Sequence, residues 1–459
     1  MNRKQRRAAA KDGASGRPEE RSTLIAQAMA LHRRSAFDQV IPVYRKLIAL
    51  TPRDSSLHFN LGLALRAVGR SGEAIAAYDQ AIALNPGDPE ARNNRGNALR
   101  DCGRVAEAAA AYRQAVALDP RWPPATHNLA DTLLEAGRPG EAACAYRRVL
   151  ALRPDHAEPA YRLGLLERRL GRPGPAAAAL KAALALQPDL ADGQRMLGVL
   201  FTERGRPDLA RPCYAACARL DPEDRLGARL LLAGLGGAAL PEQASTAHLL
   251  RVYKDRAGRE DQVGRLSTYY APGIVAERLA RLADGRKLDI LDAGCGSGLA
   301  GALIGVHARR LDGVDLSPEM LRYARAKRIY RQLCCEDLVA FLDRHRQAYD
   351  VVVSVGTLIH FGDLSRVFTA AAAALRDEGL FLFTLLTDQG IVDSRHYRLA
   401  PSFDYASGGC YEHGQGYVRE LAGSTGQWTI EMLDRIEHEA DQAGRGKAGL
   451  VVALRRTLR

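Results

Sequence analysis

A constant period runs through the first half of the sequence. Prolines close six triplets (LTP, LNP, LDP, LRP, LQP and LDP), and all steps between them are equal. They stand at positions 52, 86, 120, 154, 188 and 222. Tyrosines at 44, 78, 112, 146 and 214 keep another phase of the same period, with Leu180 filling the gap. A constant period of 34 residues predicts helical hairpins that stack on their neighbours, because one hairpin alone buries too little apolar surface.

Each period is interpreted as two helices joined by a short turn. A Leu-Gly pair, as at Gly62, lets the partner helix approach, and a Gly-Arg pair, as at Gly69, ends the first helix with a left-handed glycine cap. In these positions the region resembles the tetratricopeptide repeat, whose unit is about 34 residues long. The resemblance implies an all-α solenoid over residues 21–236, with six repeats and a capping helix at 225–236. Ser35 replaces the turn glycine in the degenerate first repeat.

Three asparagines share one phase of the period, just before the Leu-Gly position. Asn60, Asn94 and Asn128 are each separated by one full period. An asparagine side chain carries both a donor and an acceptor, which matches the needs of a peptide backbone. A similar asparagine ladder holds extended peptide in the repeats of O-linked N-acetylglucosamine transferase. The ladder predicts a protein or peptide partner in the groove; the alternative is a solvated groove lining.

The length and net charge of the chain restrict the number of domains and the classes of partner that can be expected. At 459 residues the chain exceeds one ordinary core, so at least two domains are expected. The formal net charge is +12, but eight basic residues lie near the two ends of the chain: five at positions 3–11, in the tail 1–20 that is predicted to be disordered, and three at positions 455–459. A basic face on folded structure is what binding to duplex DNA needs, so no DNA is expected as a partner.

Cysteine usage and hydropathy favour a cytoplasmic protein. The eight cysteines show no paired framework and no zinc-ligand spacing, which predicts reduced thiols and no metal site. No run of about 18 apolar residues is present, so no stable membrane insertion is expected. The N-terminus is charged but lacks the apolar stretch of a secretory signal.

The sequence pattern changes after residues 237–246, a stretch of small and polar residues with one proline that is predicted to be a linker. From 247 to 459, apolar runs of strand length alternate with helical ones. Candidate strands are 288–292, 311–315, 329–335, 350–355 and 379–386, with two more near 428–436 and 448–454. This alternation predicts a parallel α/β sheet with helices on both faces.

The stretch LDILDAGCGSGLAG, residues 288–301, holds the glycine-rich turn expected at a nucleotide site. Its G-x-G-x-x-G pattern leaves a nicotinamide dinucleotide open as ligand. However, Asp292 stands just before the glycines, where a carboxylate would repel a pyrophosphate and suit a cation such as S-adenosylmethionine. Asp315 ends the next strand, where an acid can accept both ribose hydroxyls. Asp337 follows the third strand, where it can accept from an adenine amino group.

The motifs DAGCGSG, GVDLSPEML and EDL together resemble the first three motifs of class I S-adenosylmethionine-dependent methyltransferases. The order of repeats and catalytic domain is similar to that of bacterial predicted methyltransferases with tetratricopeptide repeats. The resemblance implies a Rossmann-like, seven-stranded α/β domain over 247–459 that binds S-adenosyl-L-methionine. The cofactor-binding residues that it implies are Asp292, Gly294, Cys295, Gly296, Gly298, Asp315, Leu316, Asp337, Leu338, Ser354 and Val355.

Two histidines are candidates for catalysis. His360 follows the fourth strand, beside the expected methyl site, where related small-molecule methyltransferases often have histidine. His413 lies in the segment that usually covers the acceptor. The alternative for each histidine is a packing or helix-capping role. The fourth strand lacks the Asn/Asp-Pro-Pro-Tyr motif of enzymes that methylate planar exocyclic amines, which argues against base methylation of DNA.

These patterns predict a cytoplasmic methyltransferase that acts on an unidentified acceptor and whose repeats recruit a protein partner or substrate. The alternative is a scaffold, in which the repeats bind partners and the second domain is catalytically silent. A nicotinamide oxidoreductase is the third interpretation.

Overall fold

The structure is a computed structural model that describes residues 20–260, 269–400, 410–440 and 446–457. The predicted disordered tail therefore lies outside the described residues, apart from Glu20. The chain forms two compact units, one up to Asp189 and one from Leu190 onward. None of the helices in the described ranges is long and apolar enough to cross a membrane.

The first unit consists of helical hairpins, as the period predicts. Five hairpins follow one another, and each pairs the odd-numbered helix with the next even-numbered one. Their bounds are α1 20–33, α2 Phe37–Leu50, α3 Ser55–Ala67, α4 Ser71–Leu84, α5 Pro89–Asp101, α6 Val105–Leu118, α7 Pro123–Glu135, α8 Pro139–Leu152, α9 Ala157–Arg169 and α10 Pro173–Leu186. The predicted tandem solenoid is confirmed.

Close packing inside each hairpin explains the glycine and tyrosine phases. A Cβ atom added at Gly62 or Gly96 would lie 2.6 Å from a ring carbon of Tyr78 or Tyr112, respectively, and both rings are fully buried. The helices therefore approach at these two positions because no side chain separates them. At the hairpin turn Ser35 adopts a left-handed φ of 54°, the conformation that glycine supplies in the later repeats.

The second unit begins with the sixth hairpin and continues into the α/β region. The compact division thus falls before the sixth hairpin, whereas the sequence period continues to about residue 224. The helices that precede the sheet are α11 Ala191–Glu203, α12 Pro207–Leu220, α13 Ala228–Gly234, α14 Thr246–Glu260 and α15 Ala271–Ala283. Residues 225–236 were predicted to form a capping helix, and α13 occupies most of that range.

A mostly parallel sheet forms the core of the α/β region. Strands β1 Leu288–Ala293, β2 Ala308–Asp315, β3 Gln332–Cys335, β4 Tyr349–Ser354 and β5 Leu375–Leu386 are parallel in the order β3-β2-β1-β4-β5. Two short strands, β6 Tyr397–Leu399 and β7 Tyr411–His413, follow them in the chain. The long hairpin of β8 Trp428–Ala440 and β9 Gly446–Arg456 completes the sheet, with β9 antiparallel to β5.

The expected seven strands are all present, and two three-residue strands, β6 and β7, bring the described sheet to nine. Helices cover the sheet between its strands. They are α16 Leu299–Ile304, α17 Pro318–Ala326, α18 Leu338–Arg344, α19 Ser365–Ala374 and α20 Gln415–Thr425. The strand order reverses direction between β1 and β4, and in open α/β sheets ligands bind beyond the carboxyl ends of the strands at such a point.

Candidate functional site

A cleft opens beyond the carboxyl ends of β1, β2, β3 and β4. Most of its lining comes from three parts of the chain: the turns after these strands, the segment that leads into α14 with the first half of that helix, and the end of β8; Tyr269, before α15, and Leu386, at the end of β5, add to it. The lining residues that carry the argument are Gln243, Tyr253, Tyr269, Gly294, Cys295, Gly296, Asp315, Leu316, Glu336, Asp337, Leu338, Val355, Thr357, His360, His438 and Glu439. Eight of the eleven predicted cofactor-binding residues are in this set, together with His360.

The glycine turn after β1 forms the floor of the cleft. Gly294 and Gly296 adopt φ values of 81° and 54°, where side chains are strained. A Cβ atom at Gly294 would lie 2.0 Å from Oγ1 of Thr357, whose hydroxyl donates to the Gly294 carbonyl at 3.1 Å. A Cβ atom at Gly296 would meet nothing within 4 Å. Burial raises the pKa of the Cys295 thiol far above its usual range, so that thiol is not a nucleophile here.

Two carboxylates at the strand tips are oriented by backbone amides. Asp315 accepts hydrogen bonds from the amides of Gly296 and Ser317, both at 2.8 Å. Asp337 accepts from the amide of Ala340 at 3.0 Å and so caps α18. Backbone donors fix these side chains without neutralising their charge.

The charge of the cleft lining is acidic. Besides Asp315 and Asp337 it includes Glu336, which pairs with Arg344, and Glu439, which pairs with Lys447 at 2.7 Å. Among the described residues that line the cleft there is no lysine and no arginine. This lining suits a ligand that is cationic or neutral, and it offers no counter-charge to a pyrophosphate.

Asp292, Gly298 and Ser354 lie outside the cleft lining, which differs from the expectation for them. Asp292 is 1% exposed and accepts a hydrogen bond from the Tyr330 hydroxyl at 2.7 Å, behind the glycine turn. Burial raises the pKa of Asp292 to about 7, although the Tyr330 hydrogen bond acts in the opposite direction. The buried hydroxyl of Ser354 donates to the Ala293 carbonyl at 2.8 Å and ties β4 to β1.

His360 lies in the cleft and is held on two sides. Its Nε2 atom is 2.6 Å from the hydroxyl of Tyr253, which belongs to α14, and its ring meets the Tyr253 ring edge to face. Its Nδ1 atom is 4.0 Å from the Cys410 sulfur. The backbone is fixed as well, because the amide of Ala244 donates to the His360 carbonyl at 2.9 Å.

The predicted linker packs closely against this histidine loop. The Glu242 carbonyl accepts from the amide of Gly362 at 2.7 Å, and Tyr411 donates to the Pro241 carbonyl at 2.6 Å. The Ser245 hydroxyl donates to the Asp224 carbonyl, in the turn after α12, at 2.8 Å. Gln243, Ala244 and Thr246 line the cleft, so this segment forms part of its wall and is bonded to the last repeat at the same time.

His413, the second catalytic candidate, is not among the cleft residues. It is fully buried, and its Nε2–H donates to the Gly362 carbonyl at 2.9 Å. Desolvation lowers the pKa of His413 to about 4, so the ring is neutral at physiological pH. Its ring packs near Tyr397 and Tyr417, with centroids 5.9 and 5.6 Å away. This environment is that of a packing histidine.

Several cleft residues were not identified from the sequence. His438 is 2% exposed, lies against the Tyr269 ring at 5.4 Å, and has its pKa lowered to about 4 by burial. Gln243 lies in the predicted linker, before the catalytic domain, and belongs to no motif. Glu336 adjoins Asp337 in the third motif, so its position could have been inferred from the sequence; the others depend on chain segments that meet only in the fold.

The three groove asparagines have different surroundings in the structure. Asn60 makes no side-chain hydrogen bond to any other described residue. Asn94 donates to the Glu90 carbonyl in its own helix at 3.0 Å. Asn128 donates across to the neighbouring repeat, to Oδ1 of Asn93 at 2.9 Å and of Asn97 at 3.4 Å. Asn60 thus has both of its hydrogen-bonding groups available, whereas the amide hydrogens of Asn128 are already engaged.

Comparison with known families agrees with the two-part fold. Residues 290–379 match the family described as "Methyltransferase domain". The family described as "Tetratricopeptide repeat" matches four times, over residues 25–89, 59–123, 127–191 and 161–225. The methyltransferase match runs from within β1 to the start of β5 and includes the glycine turn, Asp315, Asp337 and His360.

Similarity to individual proteins is confined to parts of the chain. A ubiquinone biosynthesis O-methyltransferase of Idiomarina loihiensis is 30% identical over 117 residues, which is 23% of this chain and 48% of that protein. A protein of Mycolicibacterium smegmatis described as a probable S-adenosylmethionine-dependent methyltransferase is 34% identical over 109 residues, 24% of this chain and 41% of that one. The chain spans about half the length, or less, of these relatives.

Among solved structures, the repeats are similar to YrrB, which is described as a TPR protein with an unusual peptide-binding site. Sequence identity is 19%, the TM-score is 0.38, and the match covers 42% of this chain and 98% of that one. At this level the similarity concerns the helical fold alone.

Proposed function

Starting from a chain that joins tetratricopeptide repeats, residues 25–225, to a methyltransferase domain, residues 290–379, we propose that it transfers the methyl group of S-adenosylmethionine to a small acceptor. The repeats recruit the protein that carries or supplies that acceptor. Bound S-adenosylmethionine supplies a methyl group on a positively charged sulfur.

The observation that carries this proposal is the charge of the cleft. Asp315 and Asp337 stand at its strand tips, oriented by backbone amides, and the described lining contains no basic side chain. A nicotinamide dinucleotide carries a pyrophosphate, which binds to amides and basic groups rather than carboxylates. A nucleoside with a sulfonium and an ammonium group fits the acidic lining.

The cofactor-binding roles follow from position in the cleft. The backbone of Gly294, Cys295 and Gly296 is suited to the methionine end. Asp315 is suited to the ribose hydroxyls, and Leu316, Asp337 and Leu338 to the adenine ring. Val355 offers backbone groups at the end of β4. Asp292 is assigned a supporting role instead: through Tyr330 it holds the glycine turn from behind.

His360 is the proposed general base. It is the catalytic candidate in the cleft, and orientation of an acceptor beside it can contribute about 7–11 kcal/mol to lowering the barrier. Removal of the acceptor proton by a positioned base adds a rate factor of about 10²–10⁴. His413 is assigned a packing role because it is buried and bonded to the backbone outside the cleft.

Isothermal titration of the full chain tests the cofactor assignment. S-adenosylmethionine is expected to bind the wild type, and Asp315→Asn is expected to weaken binding about 100-fold, since a charged hydrogen-bond acceptor is lost. Asp343→Asn, an exposed carboxylate of α18 outside the cleft, is the matched control and should leave affinity unchanged. Absence of heat in the wild type would favour a scaffold with a silent second domain; binding of NADH in its place would favour an oxidoreductase.

The repeat groove is the proposed partner site, and Asn60 and Asn94 are its best candidates for contact. Asn128 contributes through its carbonyl oxygen, since its amide hydrogens face Asn93 and Asn97. Proteins crosslinked by the full chain are expected to be lost in the Asn60→Ala/Asn94→Ala double variant. They should be retained with Asn85→Ala, an exposed asparagine at the end of α4. Radiolabelled methyl transfer onto the captured proteins then shows whether the partner is also the acceptor.

The proposed compartment is the cytoplasm. All eight cysteines lie in the described residues, and none forms a disulfide. A reducing compartment keeps them in this state.

A further inference from the structure

A second cavity lies where α17 ends and the chain turns toward β3. Its volume is about 150 Å³, whereas one water molecule needs about 10–15 Å³, so a larger group can enter it. The described residues that line it are Ala324, Arg325, Arg328, Tyr330, Arg331 and Leu333. None of these residues lines the cleft at the strand tips, so the two cavities are separate.

The lining of this second cavity is basic. Three of its residues are arginines, and none of the described residues in the lining is acidic. The described lining of the cleft, by contrast, holds four carboxylates and neither lysine nor arginine. The two cavities therefore suit ligands of opposite charge.

Two of the three arginines have no counter-charge. The side chains of Arg325 and Arg328 are exposed, and they form no hydrogen bond or ion pair with any other described residue. The carbonyl end of a helix such as α17 carries about half a negative charge, which cannot balance two guanidinium groups. Positive charge therefore remains uncompensated at this cavity.

The third arginine is oriented by a buried carboxylate. Arg331 donates to Asp312 from Nε and from Nη2, both at 2.9 Å, and Asp312 is 2% exposed. Arg310 lies 3.4 Å from the same carboxylate, so two guanidinium groups share one negative charge. A guanidinium group has five donors, and those of Arg331 that do not face Asp312 are available to a ligand.

The turn after α17 brings the arginines to one place. Arg328 adopts a left-handed φ of 55° directly after the C-cap residue Lys327, a conformation that ends a helix and redirects the chain. The amide of Arg331 then donates to the Leu311 carbonyl of β2 at 2.8 Å, which fixes the chain after the turn. Arginines from before and after the turn therefore border the same cavity.

The rest of the wall is apolar. It consists of Ala324, Leu333 and the ring of Tyr330, whose hydroxyl is engaged with Asp292. A Cβ atom added at Gly298 would lie 3.2 Å from Cε2 of Tyr330, so this ring separates the cavity from the glycine turn. The polar atoms that a ligand meets here are thus donors of guanidinium groups.

From this arrangement we propose that the cavity binds a phosphate group, either free or as a monoester, through Arg325, Arg328 and Arg331. The planar donor pairs of a guanidinium group match two oxygens of one phosphate. A phosphate has three terminal oxygens and a charge of about −1.5 to −2, whereas a carboxylate has two oxygens and one charge. Three arginines around one concave site therefore favour phosphate. This site is independent of the proposed methyl transfer.

Phosphorus nuclear magnetic resonance of inorganic phosphate, titrated into the full chain at constant ionic strength, tests the site. The phosphate line is expected to change saturably in the wild type. Arg325→Gln/Arg328→Gln is expected to weaken binding at least about 100-fold, because two charged donors are lost.

The matched control is Arg366→Gln/Arg419→Gln. It removes two exposed arginines, from α19 and α20, that also have no side-chain partner among the described residues, so the net charge falls by the same amount. This control should bind phosphate as the wild type does. If the double variant in the cavity fails to fold, by its circular dichroism, Arg325→Gln alone decides, with an expected loss of at least about tenfold.

Phenyl phosphate separates the two sources of the phosphate group. Tighter binding than that of inorganic phosphate would show that the ligand is an ester whose organic part contacts Tyr330 and Leu333. Equal or weaker binding would show that the ligand is free phosphate. Either result supports the site, provided that the binding is lost in Arg325→Gln/Arg328→Gln.

Four results would overturn the proposal. A response of the wild type that never saturates would mean that no phosphate site exists. Equal affinity in the wild type and in Arg325→Gln/Arg328→Gln would place the phosphate elsewhere. An equal loss in the control variant would assign the effect to net charge. Binding of a single-stranded oligonucleotide without saturable phosphate binding would indicate a surface for a polyanion.

Discussion

The repeat region and the catalytic region use glycine and polar side chains in different ways. In the repeats, Gly62 and Gly96 leave room for the rings of Tyr78 and Tyr112, and the same contact recurs at a fixed interval along the chain. In the catalytic region, Gly294 and Gly296 shape one turn, and their neighbour Thr357 comes from a distant part of the sequence. The role of a repeat residue follows from its phase, whereas the role of a cleft residue follows from its spatial neighbours.

Asp292→Asn gives the largest expected effect and tests the catalytic side of this comparison. Burial raises the pKa of Asp292 from 3.8 to about 7, so its ionisation is disfavoured in the folded state. The preference of the folded state for the protonated Asp292 carboxyl stabilises the wild type fully below pH 3.8, and this stabilisation is lost as the pH rises through 7. Relative to the wild type, the free energy of unfolding of the variant in urea should therefore rise by up to about 4 kcal/mol between pH 4 and pH 8. A pH-independent difference would place the carboxylate in solvent contact.

Gly96→Val tests the repeat side. A branched side chain at this position must displace the buried Tyr112 ring, and overpacking of this kind costs about 3 kcal/mol. Gly96→Ala is the matched control. It should cost less than about 1 kcal/mol, because Ala130 holds the same phase opposite Tyr146 and alanine favours the helix. The measurement is the loss of helical circular dichroism in urea. If Gly96→Val and Gly96→Ala lowered the stability equally, the position of a residue in the repeat would not govern its packing here.

Asp289→Asn tests an ion-pair cluster at the amino ends of the strands. Arg309 and Arg376 both bond to Asp289 at 3.0 Å, and they hold the pKa of that carboxyl at about 2. The depressed pKa stabilises the fold above pH 3.8, and this contribution is lost as the pH falls toward 2. The variant should therefore be about 2 kcal/mol less stable than the wild type at pH 7.

The pH dependence is the deciding feature of this experiment. Thermal unfolding measured at several pH values should show that the difference in stability between Asp289→Asn and the wild type vanishes as the pH falls from 3.8 to 2. Asp343→Asn, which removes an exposed carboxylate outside this cluster, is the matched control. A difference that persists at pH 2 would assign the effect to packing rather than to charge.

Asn128→Ala and Asn60→Ala give the smallest expected effects and challenge the comparison directly, because both residues have the same phase. Asn128→Ala leaves the buried Asn93 oxygen without its donor, which costs about 1–2 kcal/mol. Asn60→Ala removes no hydrogen bond to another described residue and should stay within about 0.5 kcal/mol of the wild type. Equal losses in urea unfolding would show that phase alone sets the role of these asparagines.

Much of the fold could be predicted because its signals are local. The hairpins follow from glycine, tyrosine and proline at fixed spacing, and Ser35 takes the left-handed turn expected of the degenerate repeat. The strands of the sheet follow from apolar runs of strand length. The two short strands β6 and β7 were missed because three residues give no periodic signal.

The candidate site was predicted less completely, and the misses share one cause. The predicted linker became a wall of the cleft because its backbone pairs with the loop after β4. His413 was expected near the acceptor but is buried against the Gly362 carbonyl. Position along the chain gives the strand end to which a side chain belongs, but not the direction in which it points.

The sequence by itself determined the architecture: stacked helical hairpins, then a parallel sheet with a glycine turn and acidic residues after its first three strands. Periodicity and turn chemistry are local, so they can be recognised before the chain folds. Only the tertiary structure decided which side chains share the cleft. Asp292 turned away toward Tyr330 and Tyr253 came to rest against His360 because distant segments pack together, and burial and hydrogen bonding then set the charge of each group.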